Sequence, residues 1–141
     1  DVAGARLGTR RMVEWGITTG ALLGVLLLLL RPLITPLFSS DPQVQDLLAA
    51  TLVVVAIQQP IAGWAFVLDG VLIGAGDGRY LAVTSVLGAV VFIPAAWAVA
   101  HGSLGLPALW CAVGLWMVTR VVTLALREHS DGWAVTGAVR R

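Results

Sequence analysis

Lysine is absent from this chain of 141 residues; all nine basic residues are arginine, a compositional hint of a GC-rich genome. Charge of either sign is scarce, at 12% of residues, against about 25% in an ordinary soluble domain. With 58% hydrophobic residues and a mean hydropathy of +0.90, the chain has too few charges to cover the surface of a water-soluble fold of its size. Lipid is its natural solvent. The net charge of +1 says nothing of nucleic acid, because the arginines form no binding stripe, and no nucleic-acid partner is expected. A single cysteine, Cys111, excludes an intrachain disulfide and a cysteine metal site; in its apolar run it reads as a small buried hydrophobe. There is no nucleophile elbow, no histidine-rich metal spacing and no pair of carboxylates sharing a helical face. Neither an enzyme nor a metal site is expected. The first apolar stretch is too long for a cleaved leader and lacks a cleavage site, and an opening on Asp1 implies that the protein begins upstream.

What the chain does have is long apolar runs. A membrane-crossing helix needs roughly 20 mostly apolar residues. Four stretches meet that need, at about 15–37, 43–75, 80–100 and 106–126, with 127–141 left as a cytoplasmic tail. The predicted fold class is therefore all-α, a polytopic membrane protein of four transmembrane helices. The connections are short and favour antiparallel neighbours in a bundle. In the first, Asp41 is placed to cap the next helix and Pro42 to occupy its first turn. In the second, Gly76 ends one helix and Asp77 is placed to cap the next. Arg6, Arg10, Arg11, Arg79, Arg127, Arg140 and Arg141 fall on one side of the membrane and only Arg31 on the other. The positive-inside rule puts both termini in the cytoplasm.

The second span is the unusual one. At 1.5 Å per residue it is about 50 Å long, so it must tilt, protrude or bend, and Pro60 offers a bend by removing a backbone donor. Gln58 and Gln59 beside it are polar at membrane depth and should face protein or water. Asp69, roughly 10–15 Å inside the arginine-rich end, is the leading candidate for a functional group. A carboxylate there costs a few kcal/mol unless protonated, paired or hydrated. Two readings stand side by side: a proton or sodium site, because desolvation raises a carboxylate pKa, or an ion pair with Arg120, which lies at similar depth in the fourth span. Gly70 and Gly74 form a GxxxG spacing that admits a second helix, and Gly16, Gly20 and Gly24 read as another packing seam. Pro94 can kink the third span. Trp64, Trp97, Trp110 and Trp116 read as interface anchors or packing, with one or two free to line a cavity for aromatic cations; His101 reads as a lone exposed histidine.

The stretch QPIAGWAFVLDGVLIGAGDGRYLA, from Gln59 to Ala82, resembles the multidrug and toxic compound extrusion family, in particular its DinF-like branch. Phe38-Ser39-Ser40-Asp41-Pro42-Gln43-Val44 before it, and Leu104-Gly105-Leu106-Pro107-Ala108-Leu109-Trp110 leading to Arg120 after it, extend the likeness over essentially the whole chain. The resemblance implies helices nine to twelve of a twelve-helix transporter, part of one of two six-helix lobes. It implies a cation-coupled antiporter in the bacterial inner membrane, exporting organic cations or drug-like compounds against protons or sodium, with no other cofactor. Its partners would be membrane lipid and the missing N-terminal lobe. Asp69 matches an acidic residue of the tenth helix that belongs to a cation site in sodium-coupled relatives, whereas DinF-like members usually place the coupling acid in the first helix. Two other readings stand beside this one: a complete four-helix small multidrug transporter working as a dimer, and a non-transporting membrane anchor or assembly subunit.

Overall fold

A computed structural model describes residues 2–130 and 132–133; of the expected tail, 131 and 134–141 lie outside the described residues. Four helices follow in order: α1 (Val2–Phe38), α2 (Pro42–Gly74), α3 (Gly78–His101) and α4 (Gly105–His129). All four are long and apolar enough to cross a membrane. Three of them match the expected spans to within a few residues. The exception is α1, which starts well before Trp15. The apolar-run criterion finds only the lipid-crossing part, whereas the preceding turns contain no proline and add an exposed Arg10–Glu14 pair at 3.3 Å, four residues apart. At 1.5 Å per residue α1 is about 55 Å long, so its charged first turns extend past a hydrocarbon layer of about 30 Å.

The connections are set by local chemistry. Asp41 caps α2 as expected: its carboxylate accepts the amide of Gln43 at 2.9 Å, with Pro42 at the first helical position. Gln45 fastens the turn further by donating to the Ser39 carbonyl at 2.8 Å. At the other end of α2, Gly76 adopts φ +78°, which lets the Asp77 amide reach back to the Leu72 carbonyl at 3.0 Å. Asp77 stands at the N-cap position of α3, but its side chain makes no capping bond; that expectation is corrected because Arg127 claims the carboxylate instead.

The helices pack side by side in the order α1, α2, α4, α3. α2 and α3 scarcely touch despite their short connection, because α4 takes the seat between them. The expected bundle of sequential antiparallel neighbours therefore holds for α1–α2 and α3–α4 only. All four elements converge at the arginine-rich end, where Leu68 and Leu72 of α2, Leu124 of α4 and Trp133 beyond it form the core, flanked by Val13 of α1 and Tyr80 and Leu81 of α3. Elsewhere large apolar side chains cover the outside, as the absence of competing water in lipid permits. Cys111 is one of the outward residues, correcting the expectation of burial; in lipid an apolar run carries no obligation to face inward.

The α1–α2 seam is built on glycine. A Cβ on Gly16 would lie 2.8 Å from the Gly63 carbonyl oxygen and 2.6 Å from Val67. One on Gly20 would strike the Gln59 carbonyl and lie 2.9 Å from Pro60 Cα, and one on Gly24 would strike the Ala56 carbonyl. Three glycines of one helix thus face three carbonyls of the other, the geometry in which Cα–H groups and carbonyl oxygens meet between helices. Pro60 contributes directly. Lacking an N–H, it leaves the Ala56 carbonyl without its usual donor four residues on, and that carbonyl is the one against Gly24. α2 continues as a single helix through Pro60. The seam at Gly16, Gly20 and Gly24 is as expected, whereas Gly70 and Gly74 have no atoms within 4 Å of an added Cβ and seat no second helix among the described residues.

Gly20→Ala should therefore lower the melting temperature of the detergent-solubilised protein by an amount corresponding to about 1–3 kcal/mol of overpacking. Gly8→Ala, at a helical position with open space around it, should be neutral or slightly stabilising. Equal melting shifts for the two would refute the close approach of α1 to α2.

Candidate functional site

Asp69 sits on α2 five residues before its last residue Gly74, about 8 Å from the helix end and nearer to it than expected. Arg120 sits on α4. Arg120 Nη2 donates to Asp69 Oδ1 at 2.5 Å, and Nη1 donates to Ser85 Oγ of α3 at 3.0 Å. Both charged side chains are largely covered, at 13% exposure for Arg120 and 18% for Asp69. Ser85 Oγ in turn donates to the Leu81 carbonyl at 2.8 Å, so the hydroxyl that receives Arg120 is held in place by its own helix. The guanidinium also lies 5.8 Å from the Trp116 ring centroid, one turn earlier on α4. Trp116 rests against Gly88, where an added Cβ would lie 2.6 Å from its indole nitrogen. One cation thereby ties together three helices. The geometry is that of a closed pair: opposite charges neutralise each other where lipid would penalise either alone.

A second pair lies about two turns away along α4. Arg127 Nε donates to Asp77 Oδ2 at 2.6 Å, with its guanidinium 5.0 Å from the Tyr80 ring centroid. The Tyr80 hydroxyl donates to the Thr123 carbonyl of α4 at 2.6 Å. This node was missed in the sequence, yet its signal was there. Arg127 follows Arg120 by seven residues on α4, two turns towards the arginine-rich end, and Asp77 lies in the turn just past the end of α2, so each arginine has an acid at its own level. Trp133 was also missed. Placed in the tail by sequence, it is 6% exposed, packs on the Leu68–Leu72–Leu124 core and donates its indole N–H to the Glu128 carbonyl at 2.6 Å.

The glutamines part company. Gln58 turns towards α4, donating to the Trp110 carbonyl at 2.7 Å; Gly114 leaves room for it, since a Cβ there would lie 2.7 Å from the amide nitrogen. Gln59 bonds weakly to the Val55 carbonyl of its own helix at 3.4 Å and lines an open groove of about 800 Å³ between α1 and α2, together with Trp15, Phe66 and Gly70. Pro60 lies in the α1–α2 seam and Gly74 is exposed at the end of α2. The structure thus brings Asp69 and Arg120 together, puts Gln58 on the same α2–α4 seam, and leaves Gln59 and Gly70 on a different surface. His101 is exposed as expected, with its ring stacked 4.0 Å from that of Trp97.

Four helices long and apolar enough to cross a membrane, joined by ion pairs, define a multi-pass membrane protein. The model of the MatE family matches residues 2–98, and the chain belongs to that family, the multidrug and toxic compound extrusion transporters. It is similar to Protein DETOXIFICATION 43 of Arabidopsis thaliana, at 35% identity over 113 residues, 80% of this chain and 21% of the relative. It is also similar to the chloroplastic Protein DETOXIFICATION 45 of the same plant, at 32% identity over 86% of this chain and 22% of the relative. The chain spans about a fifth of the length of these relatives. No solved structure matches it.

Removing one member of the inner pair should cost more than removing both. Asp69→Ala strands a covered guanidinium and should destabilise the solubilised protein by about 3–5 kcal/mol, as should Arg120→Ala. The double variant should recover much of the loss. Additive losses in thermal melting would mean that the two side chains do not pair.

Proposed function

We propose that this chain is the C-terminal part, helices nine to twelve, of a cation-coupled antiporter that exports organic cations or other drug-like compounds in exchange for protons or sodium. The observation that carries the reading is the family match over residues 2–98, on a chain whose four spans account for about a fifth of its relatives. The remaining spans, including a complete opposite lobe, would come from the rest of the same polypeptide. The arginines of the α1 start, the α2–α3 turn and the α4 end lie at one end of the molecule, which by the positive-inside rule supports our reading of that end as cytoplasmic, in a bacterial plasma membrane.

Within this reading Asp69 is a structural acid. Its carboxylate is held by Arg120 at 2.5 Å, and Arg120 has Ser85 and Trp116 as further partners, so release of the carboxylate to a transported cation would leave a guanidinium stranded at membrane depth. Coupling then falls to acids elsewhere in the full-length transporter.

The full-length transporter carrying Asp69→Asn tests both points, because asparagine can still accept from Arg120. Ethidium uptake into everted vesicles energised by a proton or a sodium gradient should persist within about threefold of the unmodified protein at equal expression, a change of less than 1 kcal/mol. Complete loss of efflux with normal expression and melting would make Asp69 a coupling residue. Absence of ethidium efflux in the unmodified transporter under either gradient, across a panel of organic cations, would overturn the antiporter reading.

A further inference from the structure

α4 ends at His129, but the residues described beyond it stay on the bundle. The Ser130 amide and hydroxyl both donate to the Arg127 carbonyl, at 3.0 and 2.7 Å. The Trp133 indole N–H donates to the Glu128 carbonyl. Two of the last four carbonyls of α4, which have no donor within the helix, are thereby satisfied from outside it. The Trp133 ring joins Leu68 and Leu72 of α2 and Leu124 of α4 in the core, so it bridges the two helices. A second attachment lies one residue earlier. The Gly132 carbonyl accepts Arg127 Nη2 at 3.4 Å, and a Cβ added to Gly132 would lie 2.6 Å from Nη1. The backbone at 132 therefore rests against the guanidinium with no room for a side chain. That same guanidinium donates through Nε to Asp77 in the α2–α3 turn and lies by the Tyr80 ring of α3. Arg127 thus joins the turn between the hairpins to the chain beyond α4.

We infer that Ser130, Gly132 and Trp133 form a strap that locks the two hairpins together at the arginine-rich end, and that the seating of Trp133 and the Arg127–Asp77 pair depend on each other. Separating the hairpins here has to break the contact of Leu124 with Leu68 and Leu72, the Arg127–Asp77 pair, and the strap. The strap reinforces both of the others. Its indole covers the leucine contact, which is otherwise the only apolar closure of α2 on α4 at this end among the fully buried residues. Its backbone holds the arginine fork at a second point, and a planar fork held at two points has a fixed orientation. Freed from Gly132, the partly exposed guanidinium can trade Asp77 for water. Freed from Asp77, it no longer fixes the backbone that carries Trp133 into its seat. The seam therefore opens at this end only when Trp133 leaves the core, and the strap is the catch on that motion.

The test is amide hydrogen exchange of the full-length transporter in detergent, read peptide by peptide, with gel filtration confirming the fold of each variant. Trp133→Ala should speed exchange about tenfold or more over 68–81 and 121–129 and leave 42–58 unchanged. Trp97→Ala, at an exposed tryptophan near the opposite end, should leave all three stretches unchanged. Gly132→Ala meets the far end of a flexible side chain, so the guanidinium gives way and exchange in the α2–α3 turn should rise about threefold. Asp77→Ala removes no capping bond and should speed exchange over 130–133. The double variant Asp77→Ala with Trp133→Ala should exchange little faster than either single one, the mark of coupled elements. Should Trp133→Ala not fold, Trp133→Phe, which keeps a ring without an N–H donor, carries the same expectation at smaller amplitude. Additive effects of the two alanine changes, a turn indifferent to Gly132→Ala, or exchange unaltered by loss of the indole would each overturn the strap. Exchange needs no transport, so failure of the antiporter reading leaves this result interpretable.

Discussion

The contact between Asp69 and Arg120 is the charged link between two hairpins that meet along α2 and α4. α1 and α2 form one, α3 and α4 the other, and the chain crosses between them through a turn that provides almost no packing of its own. What unites them is the α2–α4 seam, stitched by Gln58 to the Trp110 carbonyl and Asp69 to Arg120, with Asp77 of the α2–α3 turn held by Arg127 just beyond it. In water such links would compete with solvent. In lipid no solvent competes, and the cost of leaving any of these groups alone makes the seam specific as well as cohesive.

The other seam works on the opposite principle. α1 lies on α2 through glycine against carbonyl, with no side-chain hydrogen bond crossing it among the described residues. Its strength depends on approach distance, and Pro60 aids the approach by leaving the Ala56 carbonyl free to face Gly24. Small residues and polar residues are the two means by which membrane helices associate, and this protein assigns one to each side of α2.

Much of this was legible before any coordinates. Span number, the Asp41 cap, the Gly16–Gly20–Gly24 seam and the equal depth of Asp69 and Arg120 all follow from periodicity, length and turn chemistry, which are local properties. The misreadings are of another kind. Asp77 has the sequence of an N-cap, but tertiary competition from Arg127 redirects its carboxylate. Gly70 and Gly74 are not among these: they keep the spacing of a packing motif and face no described helix. The order α1, α2, α4, α3 was invisible because short connections constrain the direction of neighbours more than their adjacency. Trp133 escaped notice because burial of one aromatic beyond a helix end depends on a core assembled from three separate helices.

The separation of 51 residues between Asp69 and Arg120 bears on how the protein is made. Synthesis proceeds from the N-terminus, so α2 leaves the ribosome with its carboxylate well before α4 supplies the arginine. During that interval Arg120 is not yet there to neutralise the acid, which in the nascent hairpin is held protonated, hydrated or near the membrane surface. The first hairpin can zip through its glycines as soon as α2 emerges, but its final depth is fixed only when the second hairpin arrives. Insertion of these helices is accordingly a two-stroke process, in which the later hairpin completes the placement of the earlier one.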